Sequence, residues 1–140
     1  MDEKPKKARN FRNYKVWQDA VEYASKVYKI TAEMPWFEKK GLCDQLQRAA
    51  VSISSNIAEG AAKPSDTEFA HFLDTALGSA FEVETQLLIA KNVGYITSVN
   101  ANLNANLNAN HNGSVTYEEL LEGIDNIEHQ LAALIKTLRQ

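Results

Sequence analysis

Ser65 to Gly94 reads SDTEFAHFLDTALGSAFEVETQLLIAKNVG, and this stretch decides the fold. Ser65-Asp66-Thr67-Glu68 has the form of a capping box, in which the serine oxygen accepts from the third backbone amide while the glutamate reaches back to the serine amide. Behind it Phe69, Phe72, Leu73, Ala76, Leu77, Ala80, Val83, Leu87, Ala90 and Val93 recur at steps of three and four. That stripe predicts an amphipathic helix of about seven turns, stopped by Gly94.

The same signals repeat on either side. Thr116-Tyr117-Glu118-Glu119 is a second capping box, followed by Leu120, Ile124, Ile127, Leu131, Leu134 and Leu138, the alternating steps of heptad packing. From Phe11 to Ala32 the stripe is Val16, Trp17, Ala20, Val21, Ala24, Val27, Tyr28 and Thr31, and Met34-Pro35 ends it because proline disfavours helical geometry in the residue before it. A further helix is expected from Glu38 through Leu42, Leu46, Ala49, Ala50, Ile53 and Ile57 to Gly60, which reads as a left-handed C-cap. Asn100 to Asn112 is low-complexity, Asn-Ala-Asn-Leu twice and then Asn-Ala-Asn-His-Asn, closing in an Asn112-Gly113 turn. Asparagine disfavours helix interiors and strands, so residues 98–115 are expected to form a loop lengthened by repeat expansion. No segment has strand period. The reading is all-α, an up-down-up-down four-helix bundle over residues 11–140, preceded by a disordered basic arm at 1–10.

With 44% hydrophobic and 24% charged residues in 140, the composition is that of a packed protein and excludes wholesale disorder. Cys43 has no intrachain partner, no apolar signal-peptide region is evident, and no run approaches the roughly 20 apolar residues of a membrane span. A cytoplasmic protein with no membrane partner is expected. Charge is asymmetric: Lys4, Lys6, Lys7, Arg9, Arg12 and Lys15 give residues 1–15 a charge of +4, and the remaining 125 residues carry −7. A basic arm on an acidic body either contacts phosphates or keeps a terminus solvated.

Motifs for chemistry are sparse. His71, His111 and His129 sit in no nucleophilic signature, and glycines at 41, 60, 78, 94, 113 and 123 write neither a P-loop nor a dinucleotide fingerprint. Glu68-Phe69-Ala70-His71 is a Glu-x-x-His of the kind that ligates iron in di-iron bundles, but the second copy is missing, and Glu128 and His129 are adjacent and point apart. No catalytic residue, metal site, cofactor or small-molecule substrate is therefore expected. Cys43, near a helix start, reads as a small core residue, and Trp17, Trp36 and Tyr95 read as core aromatics rather than base-stacking platforms.

The unusual segment is Arg48 to Gly60, polar and small where a bundle helix should be apolar. Arg48, Ser52, Ser55 and Glu59 follow at steps of four, three and four, with Asn56 beside them, and Ser79, Glu82 and Gln86 form a similar ridge on the third helix. A structural polar network between helices or between subunits is expected, because such a network specifies packing register. A ligand pocket is the competing reading.

With these residues in view, the chain resembles the four-helix-bundle proteins encoded in intervening sequences of bacterial 23S ribosomal RNA genes, a family once labelled ribosomal. The likeness rests on Tyr14-Lys15-Val16-Trp17 with Ala20, on Gly41-Leu42 with Gln45, and on the run Arg48 to Gly60. It continues in Glu68-Phe69, Phe72-Leu73, Ala76, Gly78-Ser79, Glu82, Glu84-Thr85-Gln86-Leu87, Ala90 and Gly94-Tyr95-Ile96, covering about Phe11 to Arg139. The asparagine-rich insert departs from it. The resemblance implies a ring, typically a homopentamer, and no enzyme. A related branch, accessory proteins of diversity-generating retroelements, binds nucleic acid and a reverse transcriptase through a basic pentameric surface. RNA or a ribonucleoprotein is accordingly the expected partner, contacted by Lys4, Lys6, Lys7, Arg9, Arg12 and Lys15; the alternative is a scaffold for a protein partner.

Overall fold

The computed structural model describes residues 9–96 and 115–140. Four α-helices carry the described chain: α1 (Lys15–Thr31), α2 (Leu42–Ala61), α3 (Asp66–Asn92) and α4 (Tyr117–Leu138), with one-turn 3-10 helices at Phe11–Asn13 and Trp36–Glu38. No strand occurs among the described residues. Each helix packs on its neighbours in the chain, and α1 closes the set against α4. Cross-helix pairs set the directions: Asp19 meets Gln130 and Lys26 meets Glu119, so α1 and α4 are antiparallel, and Ser52 with Ser79 and Gln45 with Gln86 orient α2 against α3 in the same way. The described residues thus form an up-down-up-down four-helix bundle. Residues 1–8 of the expected arm (1–10) and residues 98–114 of the expected loop (98–115), His111 included, lie outside the described residues.

The helix ends follow their sequence signals at three places. Ser65 Oγ accepts from the Glu68 amide at 3.1 Å, and Thr116 Oγ1 accepts from the Glu119 amide at 3.1 Å. The Glu68 carboxylate closes its box on the Ser65 hydroxyl at 3.2 Å rather than on the amide. Gly94, at φ +83, terminates α3 in a Schellman motif: the Tyr95 amide donates to the Ala90 carbonyl at 2.9 Å and the Gly94 amide to Lys91 at 3.1 Å.

Elsewhere the structure corrects the sequence reading. Gly60 is no C-cap. It lies inside α2, buried, and a Cβ there would come within 2.7 Å of Phe72 Cβ and 2.9 Å of Phe69 Cδ1, so glycine is required by the close approach of α3. Helix two starts at Leu42 instead of Glu38, because Glu38 Oε1 accepts from the Leu42 amide at 3.1 Å and so caps the helix from outside it. Helix one starts at Lys15 instead of Phe11. Its inner face is rotated from the expected one, with Tyr23 and Ile30 buried and Val21 and Tyr28 exposed. In α4 the last core position is Ile135, while Leu134 and Leu138 are only half-buried. Arg9 and Asn10 belong to the folded body, since Asn10 Oδ1 accepts from the Arg12 amide at 3.1 Å and starts the first turn.

The core runs along the bundle axis through Leu46, Ile53, Ile57, Phe69, Leu73, Leu87, Leu120, Ile124, Ile127 and Leu131, all essentially inaccessible to solvent. Truncating one of these leucines to alanine is expected to cost about 2–5 kcal/mol. Tyr23 of α1 is buried with a polar tip, and its hydroxyl donates to the Leu120 carbonyl at 2.7 Å. Burial, with the charges of Glu128 and Glu84 nearby, pushes that hydroxyl's pKa up.

Candidate interaction faces

The polar ridge divides when folded. Ser52 Oγ lies 2.9 Å from Ser79 Oγ, and Asn56 Nδ2 donates to both the carbonyl (2.8 Å) and hydroxyl (2.9 Å) of Ser52, forming a compact knot between α2 and α3. Gln86 Nε2 donates to Gln45 Oε1 at 3.4 Å, while Gln86 Oε1 is buried with no hydrogen-bond partner among the described residues. Arg48 pairs along its own helix with Asp44 at 2.8 Å, and Ser55, Glu59 and Glu82 face outward. Gln45, Arg48, Ala49, Ser52, Ser79, Glu82 and Gln86 line an open groove at this seam.

Beside that groove runs the outer face of α3. Apolar side chains continue around this helix, so that Phe81, Leu88, Ile89 and Val93 are about half exposed while Phe69, Leu73, Val83 and Leu87 fill the core. Gly78, in mid-helix, has nothing within 4 Å of where a Cβ would stand. On its far side Phe81, Glu84, Thr85 and Leu88 line a second groove with Tyr117, Leu121 and Glu128 of α4, about 400 Å³ in volume. Burial pushes the Glu128 carboxyl up to about 7, reinforced by its hydrogen bond to Glu84 and by the charges of Glu84 and Asp125, against a small opposing effect of His129.

The basic residues of the N-terminal segment are not equivalent. Arg9 is a structural residue: it ion-pairs with Asp66, donates to the Lys63 carbonyl at 2.7 Å and stacks 4.8 Å from the centre of the Phe69 ring. The sequence offered no sign of this, because the partners lie more than fifty positions away. Lys15 donates to Asp19 Oδ2 at 2.7 Å, an oxygen that also takes Gln130 at 2.7 Å; these contacts outweigh burial and hold the Asp19 carboxyl below its usual range. Arg12 lies over the Phe11 ring on the surface. Lys4, Lys6 and Lys7 lie outside the described residues.

The aromatic expectations also divide. Trp17 is half-buried and packs edge-on to Phe11 at 5.1 Å, and Tyr95 rests on the core. Trp36 is not a core residue: it is 86% exposed, in the link between α1 and α2, where the helix-breaking Pro35 has already carried the chain off the apolar stripe.

Groups with chemical potential stay apart. His71 is exposed on α3 and Glu68 is spent on the cap. His129 is exposed on α4, where its hydrogen bond to the Asp125 carbonyl raises its pKa. Cys43 is buried 3.7 Å from the Thr31 carbonyl, and burial pushes its thiol up, away from the reactive thiolate. Among the described residues no three His, Cys, Asp or Glu side chains gather as a metal site, and no helix is long and apolar enough to cross a membrane.

These features define an all-helical bundle whose distinctive surfaces are a polar seam, an apolar outer helix face and an exposed aromatic corner. The chain belongs to the 23S rRNA-intervening sequence protein family, whose model matches residues 12–116. It is similar to the crystal structure of a protein of unknown function from the S23 ribosomal protein family of Bacteroides thetaiotaomicron, with a TM-score of 0.68 at 24% identity over 86% of this chain and 98% of that one. That likeness establishes the shared fold. No curated protein matches the chain in sequence.

Proposed function

We propose that the chain is a non-enzymatic interaction module that assembles as a ring-shaped homopentamer and engages RNA or a ribonucleoprotein in the cytoplasm. The outer face of α3 carries the self-association. The C-terminal half of α3 leaves Phe81, Leu88, Ile89 and Val93 about half exposed, an apolar patch that the single bundle does not cover. Gly78 supports the same reading: a mid-helix glycine costs about 1 kcal/mol relative to alanine, nothing among the described residues requires it, and it opens room for a partner helix to approach. Ser55 and Glu82 of the ridge are both exposed and would serve as polar contacts between copies.

Phosphate contacts are assigned to Lys4, Lys6, Lys7, Arg12 and Lys15. Arg9 is withdrawn from that set because its guanidinium is already occupied within the fold. A ring would present several such segments together, which raises affinity through multivalency even when each contact is weak.

The test is mass by light scattering for the intact chain and for Leu88→Glu and Phe81→Glu, with helicity by circular dichroism. Pentamers that fall apart in both variants while helicity persists support the assembly; a monomeric intact chain overturns it. Binding of structured RNA by the intact chain, and its loss when residues 1–8 are removed, supports the second half. An intact oligomer that binds no RNA favours the scaffold for a protein partner instead.

A further inference from the structure

We propose that the exposed corner formed by Trp36, Phe37, Lys39 and Lys40 is a binding site for single-stranded RNA, with a base stacked on Trp36 and the flanking phosphates held by the two lysines. The inference rests on the reading of RNA as the ligand and adds, to the phosphate contacts of the N-terminal segment, a base contact in the link between α1 and α2.

Trp36 is 86% and Phe37 61% exposed, the two most exposed large apolar side chains among the described residues. Neither joins the core. The turn that carries them is nevertheless well fixed: the Glu38 amide donates to the Pro35 carbonyl at 2.9 Å and the Lys39 amide to Trp36 at 3.1 Å. The rings themselves interlock, Trp36 edge-on to Phe37 at 6.1 Å and Phe37 edge-on to Tyr95 at 6.2 Å. A solvent-facing tryptophan carried on a hydrogen-bonded turn offers an open ring face on which a base can stack.

Charge selects the ligand. Of the two acids in this link, Glu33 is exposed three residues before Trp36, while Glu38 turns inward, one carboxylate oxygen accepting from the Leu42 amide at 3.1 Å and the other from the Tyr95 hydroxyl at 2.8 Å. Lys39 and Lys40 are exposed and make no ion pair among the described residues, so two unpaired cations stand beside the rings against one exposed acid, Glu33, on a body that carries −7 beyond residue 15. Alternation of aromatic faces with unpaired cations is what a single strand requires, since every base offers a ring face and every phosphate a charge. A narrow strand can reach such a corner without meeting the acidic body. A broad anionic membrane would meet both, and a protein partner would require a wider apolar centre than two rings provide.

The experiment measures binding of fluorescein-labelled oligouridine to the intact chain, Trp36→Ala, Trp36→Phe and Lys39→Glu/Lys40→Glu, at low and moderate salt, with helicity and mass as controls. Trp36→Ala is expected to weaken binding about tenfold or more and to abolish the ligand-dependent quenching of tryptophan fluorescence, while Trp36→Phe keeps most of the affinity. Reversing both lysines is expected to lower the slope of log affinity against log salt by about 1.4. Unchanged affinity in Trp36→Ala and in the lysine variant overturns the site. If removal of residues 1–8 abolishes binding while Trp36→Ala binds normally, the corner is excluded and the reading of the chain as an RNA-binding module stands. If the assembled intact chain does not bind oligouridine, or prefers phosphatidylserine vesicles to it, the site is likewise overturned.

Discussion

Ser52 and Ser79 face each other with hydroxyl oxygens 2.9 Å apart, at a point where α2 and α3 present alanine and serine instead of leucine. Two small polar side chains let the helix backbones approach, and the hydroxyl pair with Asn56 fixes which turn of α2 lies against which turn of α3. The net value of one such hydrogen bond is about 1 kcal/mol. Ser79→Ala should therefore lower the free energy of unfolding in urea by about 1 kcal/mol. Ser79→Leu should cost about 1–3 kcal/mol, because it removes the hydroxyl pair and sets a larger side chain against Ser52.

The Glu128 carboxyl predicts a pH dependence of stability. Its pKa is raised in the folded chain to about 7 from an ordinary 4.5, so the folded state holds the proton that the unfolded state has lost. Stability from this group is full below the unfolded pKa, declines as pH rises between these two values, and is gone above the folded pKa. The exposed His129 shifts in the same sense. Glu128→Gln, which keeps a hydrogen-bonding group beside Glu84, should raise the melting temperature at pH above the folded value and flatten the profile. Parallel profiles for the two proteins would refute this.

Arg9 separates stability from nucleic-acid binding. Arg9→Ala removes the Asp66 ion pair, the bond to the Lys63 carbonyl and the stacking on Phe69, and should destabilise the chain by about 1–3 kcal/mol. The salt slope of RNA binding should not move. Neutralising Lys4, Lys6, Lys7, Arg12 and Lys15 should do the reverse, flattening the slope with a smaller effect on unfolding.

Gly78→Ala distinguishes a surface glycine from an interface glycine. In an isolated bundle the substitution meets nothing and should stabilise α3 by about 0.5–1 kcal/mol. If a second copy packs there, the oligomer should dissociate at higher protein concentration than before, readable by light scattering across a dilution series.

The helix ends and most of the core were legible because their signals are local. Ser65, Thr116 and Gly94 act within one turn of themselves, and the stripes of α2 and α3 place Ile53, Ile57, Leu73 and Leu87 correctly. Errors arose where distant chain decides. Gly60 looks like a stop signal, but the rings of Phe69 and Phe72 arriving from α3 determine its role. On α1 the choice of Tyr23 and Ile30 over Val21 and Tyr28 depends on a small rotation set by α4, where Leu120 receives the Tyr23 hydroxyl. Arg9 gave a correct charge and a misleading address. The ridge was legible as an unusual pattern, but only the helix pairing divides Ser52, Asn56 and Ser79 from the outward Ser55, Glu59 and Glu82.

The Schellman cap at Gly94 has a consequence for engineering. The chain past it is fastened at once, Tyr95 by its hydroxyl to Glu38 and Ile96 by burial, while the start of α4 lies against the end of α3, with Lys91 Nζ 5.0 Å from the centre of the Tyr117 ring. Both anchorages are made by described residues on either side of 97–114. The entropy of closing a connection rises by only about 0.6 kcal/mol for each doubling of its length. The span between Ile96 and Val115 is therefore the natural place to graft a reporter or shorten the chain, and the bundle should retain its geometry through either change.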